Sequence, residues 1–246
     1  MNTVLITGCS SGFGLAAARH FLAQGWQVVA TMRTPRADVL TPAERLRVLQ
    51  LDVTDAASIR DCIAAAGRID VLVNNAGIGL LGALEGIPMD RVREIFETNT
   101  FGTMALTQAV LPQMRERGSG VIVNVTSSVT LKDLPLLAVY TASKAAVNAF
   151  TEVLALELAP FGVQTRLVLP GRAPTTKFGE NARSRMDGSI PGPYAELAGR
   201  VFADWAQSTE AVTQAQDVAQ AVWRAATEAD APMRIAAGAD AVALMP

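Results

Sequence analysis

Histidine is nearly absent from this sequence: His20 stands alone among 246 residues. That scarcity tells against a histidine-based triad and leaves acid–base work near neutral pH to another residue type. Cysteine is almost as rare. Cys9 and Cys62 are too few for a disulfide framework, and no CxxC or Cys/His cluster offers zinc ligation, so no metal is expected. Runs of like charge are missing too. The 21 basic and 23 acidic residues are scattered and sum to −2, which leaves no footprint for nucleic acid or for a basic membrane-binding helix. No apolar stretch reaches the length of a membrane span, and the opening MNTVLITG runs straight into a strand pattern without the parts of a signal peptide. These absences predict a cytoplasmic protein that meets neither nucleic acid nor membrane.

Hydrophobic residues make up 50% of the chain and charged residues 18%, a globular composition. Strand and helix patterns alternate throughout: strands at Asn2–Thr7, Gln27–Met32, about Arg47–Leu51, Ile69–Asn74, Gly120–Thr126, Val163–Leu169 and Met233–Ala237. Helices are expected over about 13–24, 55–66, 90–117, 139–159 and 213–229, the last with a capping-box pattern from Thr213 to Gln216. Strand interiors such as VLIT and VLVN are continuously apolar, as in sheets covered on both faces. The pattern predicts one α/β domain over residues 1–246. It is a doubly wound parallel sheet, the Rossmann fold, of about seven strands with helices on both faces. The run 171–192, rich in Gly, Pro, Asn and Ser, reads as a structureless loop, and a substrate lid is expected over about 171–205.

Between the first strand and first helix lies Thr7-Gly8-Cys9-Ser10-Ser11-Gly12-Phe13-Gly14. Glycines there let the backbone turn tightly beside a pyrophosphate, whose charge meets the amino end of the helix. At the end of the second strand an NAD site usually carries a carboxylate for the ribose hydroxyls. This chain has Met32, then Arg33 and Arg36. Arginine can pair with a 2′-phosphate, and Ser11 could add a hydroxyl, so NADP(H) is expected over NAD(H).

The sequence holds two tyrosines. One of them, Tyr140, precedes Lys144 by four positions at the start of a helical segment, so the two share a face. A phenol with a reference pKa of about 10 is a poor base at neutral pH, and an adjacent ammonium would bring it down.

Together these residues resemble the short-chain dehydrogenase/reductase family, in its branch with TGxxxGxG and YxxxK. The likeness covers nearly the whole chain: TGCSSGFG, LDVTD (Leu51–Asp55), NNAG (Asn74–Gly77), TNTFG (Thr98–Gly102), NVTSS, YTASK and LPG (Leu169–Gly171) occur in the family's order. The resemblance implies that Tyr140 exchanges a proton with the substrate oxygen. Lys144 would tune it and bind ribose, Ser127 would hydrogen-bond the substrate oxygen, and Asn99 would hold a relay water. Ser127 is thirteen positions before Tyr140, the family's spacing, and Ser128 is the alternative. The dinucleotide would lie along Gly8, Ser10, Ser11, Gly12, Phe13, Gly14 and Arg33. Asp52 and Val53 would border its adenine, and Asn75, Ala76 and Gly77 its ribose. Pro170, Gly171 and Thr175 would lie on the nicotinamide side. Two places depart from the pattern: Val129 and Thr130 stand where glycine is common, and Pro174 interrupts PGRAPTT.

The activity expected is hydride transfer between NADP(H) and a carbonyl or secondary alcohol. Leu80, Leu81, Leu134, Leu136, Phe178, Met186, Tyr194, Phe202 and Trp205 point to a largely apolar ketone, or else simply pack the lid. A dinucleotide-binding sensor without turnover, an epimerase or dehydratase on a related scaffold, and an interaction protein are the other readings. Family likeness adds a homodimer or homotetramer packed through the helices around 90–117 and 139–159.

Overall fold

The computed structural model describes residues 1–36, 38–183, 185–186 and 188–245. The strands are β1 (Thr3–Ile6), β2 (Gln27–Met32), β3 (Leu46–Gln50), β4 (Val71–Asn74), β5 (Gly120–Val125), β6 (Val163–Pro170) and β7 (Arg234–Ala237). They form one sheet in the order β3-β2-β1-β4-β5-β6-β7, every pair parallel. Around it run α1 (Gly12–Ala23), α2 (Ala56–Ala66), α3 (Met89–Phe96), α4 (Gly102–Arg117), α5 (Ala138–Leu158), α6 (Lys177–Arg183), α7 (Ala195–Gln207), α8 (Ala215–Thr227) and the short α9 (Ala239–Val242).

The apolar strand runs have a simple cause. Successive side chains leave opposite faces, and both faces are covered. Val4 and Ile6 of β1 join a core with Ala17 and Phe21 of α1 and Val218 and Val222 of α8. Leu5 joins the opposite core with Ile59 of α2, Leu106 and Met114 of α4 and Leu154 of α5. Each such side chain, fully buried, contributes roughly 1.5–3 kcal/mol. Strand order reverses at β1 and β4, and ligands of such sheets bind outside the carboxyl ends at that reversal.

Three expectations from the sequence change. The helix expected without interruption over about 90–117 contains a π-helical turn, Glu97–Phe101, between α3 and α4. The wide turn swings Asn99 inward, where it is buried. Second, the run 171–192 is not structureless: α6 lies within it and α7 follows, while positions 184 and 187 are outside the described residues. Third, the last long helix is capped by Gln214 and Asp217 rather than by Thr213 and Gln216. Thr213 is instead buried and bonded to the end of β6.

Among the described residues no helix is long and apolar enough to cross a membrane.

Candidate active site

The glycine turn sits where β1 ends. Gly8 and Gly12 have φ of +73° and +58°, a left-handed conformation that disfavours side chains. Gly14 is required for another reason: a Cβ there would overlap the Gly8 carbonyl and the Asn75 amide. The turn is clamped to the end of β4. Thr7 Oγ1 accepts the N–H groups of Asn75 and Ala76 at 2.9 and 2.8 Å, and Asn75 Nδ2 donates to Thr7 O at 2.8 Å. Asn75, expected beside a ribose, thus spends its side chain on the turn itself.

Ser11 is the N-cap of α1, yet its hydroxyl makes no cap bond, and the helix amides open toward the crevice. Phe13 is half-buried and packs against the core of β1, α1 and α8. Ser10 and Arg33 are exposed. Arg36 reaches back to the turn, donating from Nη2 to Ser10 O at 3.1 Å. Asp52 accepts from Thr54 N and Oγ1 at 2.9 and 2.8 Å, and Val53 packs where any side chain on Gly102 would collide. Pro170 is the buried last residue of β6, and Gly171 begins the loop beyond it. In that loop the side chain of Thr176, not Thr175, lies against Gly12, at 3.7 Å from where its Cβ would stand, while Thr175 is exposed. Thr176 was not singled out in the sequence, where Pro174 marks the loop's departure from the usual pattern.

Across the crevice, α5 presents Tyr140 and Lys144 on one buried face. The Ser127 side chain lies near the Tyr140 hydroxyl and favours its ionised form, and its own hydroxyl accepts Val129 N at 3.3 Å. Ser128, its neighbour, is buried as well, but it is Ser127 that lies near Tyr140. Thr130, one of the departures noted above, donates from Oγ1 to Ser127 O at 2.9 Å and accepts from Asn148 Nδ2 at 2.9 Å. A side-chain strut thereby replaces glycine flexibility behind the serine.

Lys144 donates from Nζ to Val125 O at 3.1 Å. Gly77 lies between Lys144 and Asn99: a Cβ on it would be 3.3 Å from Nζ and 3.2 Å from Asn99 Oδ1. Asn99 accepts Ile78 N at 2.9 Å and donates to Ile78 O at 3.0 Å and Ser143 Oγ at 3.1 Å, so its amide holds the loop after β4 against α5.

Electrostatics correct one expectation. Burial pushes the Tyr140 phenol up to about 12, opposed by the Ser127 side chain, and Lys144 does not bring it down. The same burial draws the Lys144 ammonium down to about 8. Desolvation penalises both charged forms, and neither shift carries a contribution from the other group. Cys9, fully buried in the turn, is pushed up to about 12 by burial and is chemically quiet.

The segment expected as a lid packs along the far side. The Phe178 ring stands 5.6 Å from the Tyr140 ring. Leu81, Leu136, Ala198 and Val201 form an apolar cluster, with Met186, Tyr194, Phe202 and Trp205 packed against it. Most of the apolar residues noted in the sequence are therefore at least partly lid packing. Leu80 belongs to a neighbouring cluster with Ile95 and Val139. Leu136 has φ of +66°, an outlier for a bulky residue, four positions before Tyr140, and its carbonyl takes Gly82 N at 2.9 Å. A cleft of about 270 Å³ opens between Leu80, Ile87, Asp90 and Arg91 on one side and Arg185 and Ser189 of the lid on the other.

A doubly wound sheet, a glycine turn at its switch point and a buried Ser–Tyr–Lys group beside it define a class of dinucleotide-dependent oxidoreductases. The family model described as short chain dehydrogenase matches residues 2–187. Retinol dehydrogenase 8 of Bos taurus is 37% identical over 255 residues, spanning 94% of this chain and 80% of that protein. A short-chain dehydrogenase from Streptomyces avermitilis superposes with a TM-score of 0.83 at 37% identity, over 99% of this chain and 90% of that one. The closed form of a serine dehydrogenase complexed with NADP+ gives 0.79 at 30% identity, over 96% and 94%. The chain belongs to the short chain dehydrogenase family, and it is an NAD(P)-dependent dehydrogenase or reductase.

Proposed function

We propose that the protein reduces a largely apolar ketone, or oxidises the matching secondary alcohol, with NADP(H). The observation that carries this is the buried Tyr140 hydroxyl, beside Ser127, on the helix face that also bears Lys144 and across from the glycine turn. The turn fits a dinucleotide: Gly8, Gly12 and Gly14 leave a cradle that side chains would fill, at the amino end of α1. Backbone amides of 8–14 would hold the pyrophosphate, Lys144 a ribose hydroxyl, and the loop 170–176 the carboxamide side. When bound, the nicotinamide supplies or takes the hydride.

Ser127 would donate to the substrate oxygen and so fix the carbonyl against Tyr140. The phenol, still protonated at neutral pH, would deliver its proton to that oxygen in reduction. Asn99 and Lys144 both border Gly77, and a water between them would refill the phenol. Substrate class rests on Phe178 over Tyr140 and on the apolar lid cluster. The names of retinol dehydrogenase 8 and of the human 17-beta-hydroxysteroid dehydrogenase type 1, 42% identical over 180 residues, agree with apolar alcohols. The test is nicotinamide absorbance with a panel of carbonyls. Apolar ketones should turn over with NADPH, and charged polyols outperforming them would overturn the substrate class. Binding without turnover would support a sensor instead.

The preference for NADP(H) rests on Met32 in place of a carboxylate and on Arg33 and Arg36 beside the turn. Replacing both arginines by alanine should raise the KM for NADPH about tenfold or more, roughly one charge-assisted hydrogen bond, and leave the KM for NADH nearly unchanged. A wild type that favours NADH would sink the preference.

We also infer a homo-oligomer through α4 and α5, since α5 leaves Val153 and Leu156 exposed, the last by 76%, and the π turn before α4 leaves Phe101 exposed. Light scattering should give a dimer or tetramer, and Val153→Glu with Leu156→Glu should lower the mass. A monomeric wild type would refute this. Both thiols are buried and free, which suits a reducing compartment such as the cytoplasm.

A further inference from the structure

A second buried polar group lies at the end of β6. Thr213 is fully buried. Its hydroxyl sits 2.7 Å from Asp240 Oδ1 and 2.9 Å from Ala237 O, and it accepts Gly171 N at 2.9 Å. Asp240 Oδ2 accepts Arg172 N at 2.6 Å, and Thr213 N donates to Arg172 O at 2.8 Å. The two N–H groups of the Gly171–Arg172 step are thus held by the Thr213 and Asp240 side chains, and the Arg172 carbonyl by the Thr213 main-chain N–H, from distant parts of the chain. Glycine is demanded on both sides. A Cβ on Gly171 would overlap the Asp240 carboxylate, and Gly238, with φ of +95°, would drive one into Thr213. The Arg172 side chain then continues outward, donating from Nη1 to Trp205 O at 2.9 Å at the end of α7 and from Nη2 to Ser208 Oγ at 3.3 Å.

We propose that Asp240 and Thr213 are positioning residues. They set the backbone of the loop that borders the nicotinamide side, and Arg172 couples that loop to the lid helix α7. The placement rests on the reading of 170–176 as a cofactor loop. Two features favour this over a merely structural tie. The step held is the first beyond β6 at the carboxyl edge of the sheet, where the crevice lies. The short run after it ends with Thr176 against Gly12, so a shift at Gly171 is carried to the pyrophosphate turn. Charge-assisted bonds to backbone N–H groups are the stronger kind, suited to holding a loop in one conformation.

The test uses the full-length chain with NADPH, and a carbonyl substrate taken from the panel. Asp240→Asn and Thr213→Ala should remain folded by circular dichroism and weaken NADPH binding about fivefold to tenfold. They should also slow single-turnover hydride transfer by tenfold or more, and raise the isotope effect with 4-deuterated NADPH. Thr213→Ser, which keeps the hydroxyl, should restore both within twofold. Arg172→Ala should leave NADPH binding unchanged and raise the KM for the carbonyl, since it cuts only the link to α7. Should Asp240→Asn fail to fold, Thr213→Ala carries the same expectation. Folded variants with NADPH binding and transfer rate within twofold of wild type would overturn the proposal. A wild type that binds no NADPH refutes the reading of the cofactor loop, and the proposal falls with it, an outcome distinct from variants that behave like wild type.

Discussion

Tyr140→Phe should lower kcat/KM by about a hundredfold to ten-thousandfold, the usual worth of a positioned acid or base, while the dinucleotide binds as before. The phenyl ring keeps the packing against Phe178, so the fold should hold, and only the hydroxyl beside Ser127 is removed. In reduction the developing alkoxide then has no acid within reach but water. Ser127→Ala should act in the same direction and less strongly, because Tyr140 remains to protonate the product. Ser128→Ala should stay close to wild type, its hydroxyl not being the one beside Tyr140. Steady-state kinetics with the best ketone, and NADPH titration of each variant, read these effects. A Tyr140→Phe enzyme retaining more than a fifth of wild-type kcat/KM would remove the phenol from the chemistry, and with it the proposed function.

How far the sequence reached depends on the kind of contact involved. Strands buried on both faces advertise themselves as unbroken apolar runs, and all of β1 to β7 were legible within a residue or two. Motifs whose chemistry depends on local spacing were legible too: Tyr140 and Lys144 are four apart on one helix, and the glycine turn lies between consecutive elements. What was missed depends on partners distant in sequence. Asn99 was named from the motif TNTFG, but the π turn through which Ile78 and Ser143 hold its amide is announced by no periodicity. Thr213 had the look of a helix cap, but the Asp240 carboxylate and the Gly171 amide claimed it, so the cap passed to Gln214. The α6 segment KFGENAR carries a glycine and too few apolar residues to show a helical stripe. The sign of the Tyr140 shift failed for a related reason. Proximity in sequence suggested attraction between phenolate and ammonium, while the degree of burial, which decides the matter, is a property of the whole fold.

That burial leads to an opposing pair of effects at Lys144. The folded state holds its pKa near 8, while an unfolded chain restores the ordinary lysine value of 10.5. Between those values the unfolded state binds more protons, so stability rises with pH across this window, and the full penalty of the buried cation is present below pH 8. By the same linkage Tyr140 acts the other way at higher pH. Its folded pKa near 12 exceeds the ordinary tyrosine value of 10.0, so stability falls as pH rises from 10.0 toward 12. Lys144→Met fills a similar volume without charge. At neutral pH it removes a penalty on the order of 3 kcal/mol, against which stands the lost bond to Val125 O at about 1–3 kcal/mol. The variant should therefore melt at the wild-type temperature or a few degrees above it at pH 7. That advantage should shrink as the pH rises from 8 toward 10.5 and vanish above it, where the wild-type amine is neutral in both states. Activity should move oppositely, falling by about a hundredfold or more if Lys144 holds the cofactor ribose as proposed. Calorimetric melts at pH 7 and near pH 10, alongside kcat/KM, separate the two. A variant that melts well below wild type at pH 7 would show that the ammonium stabilises the fold, and the desolvation account of both buried groups would have to be given up.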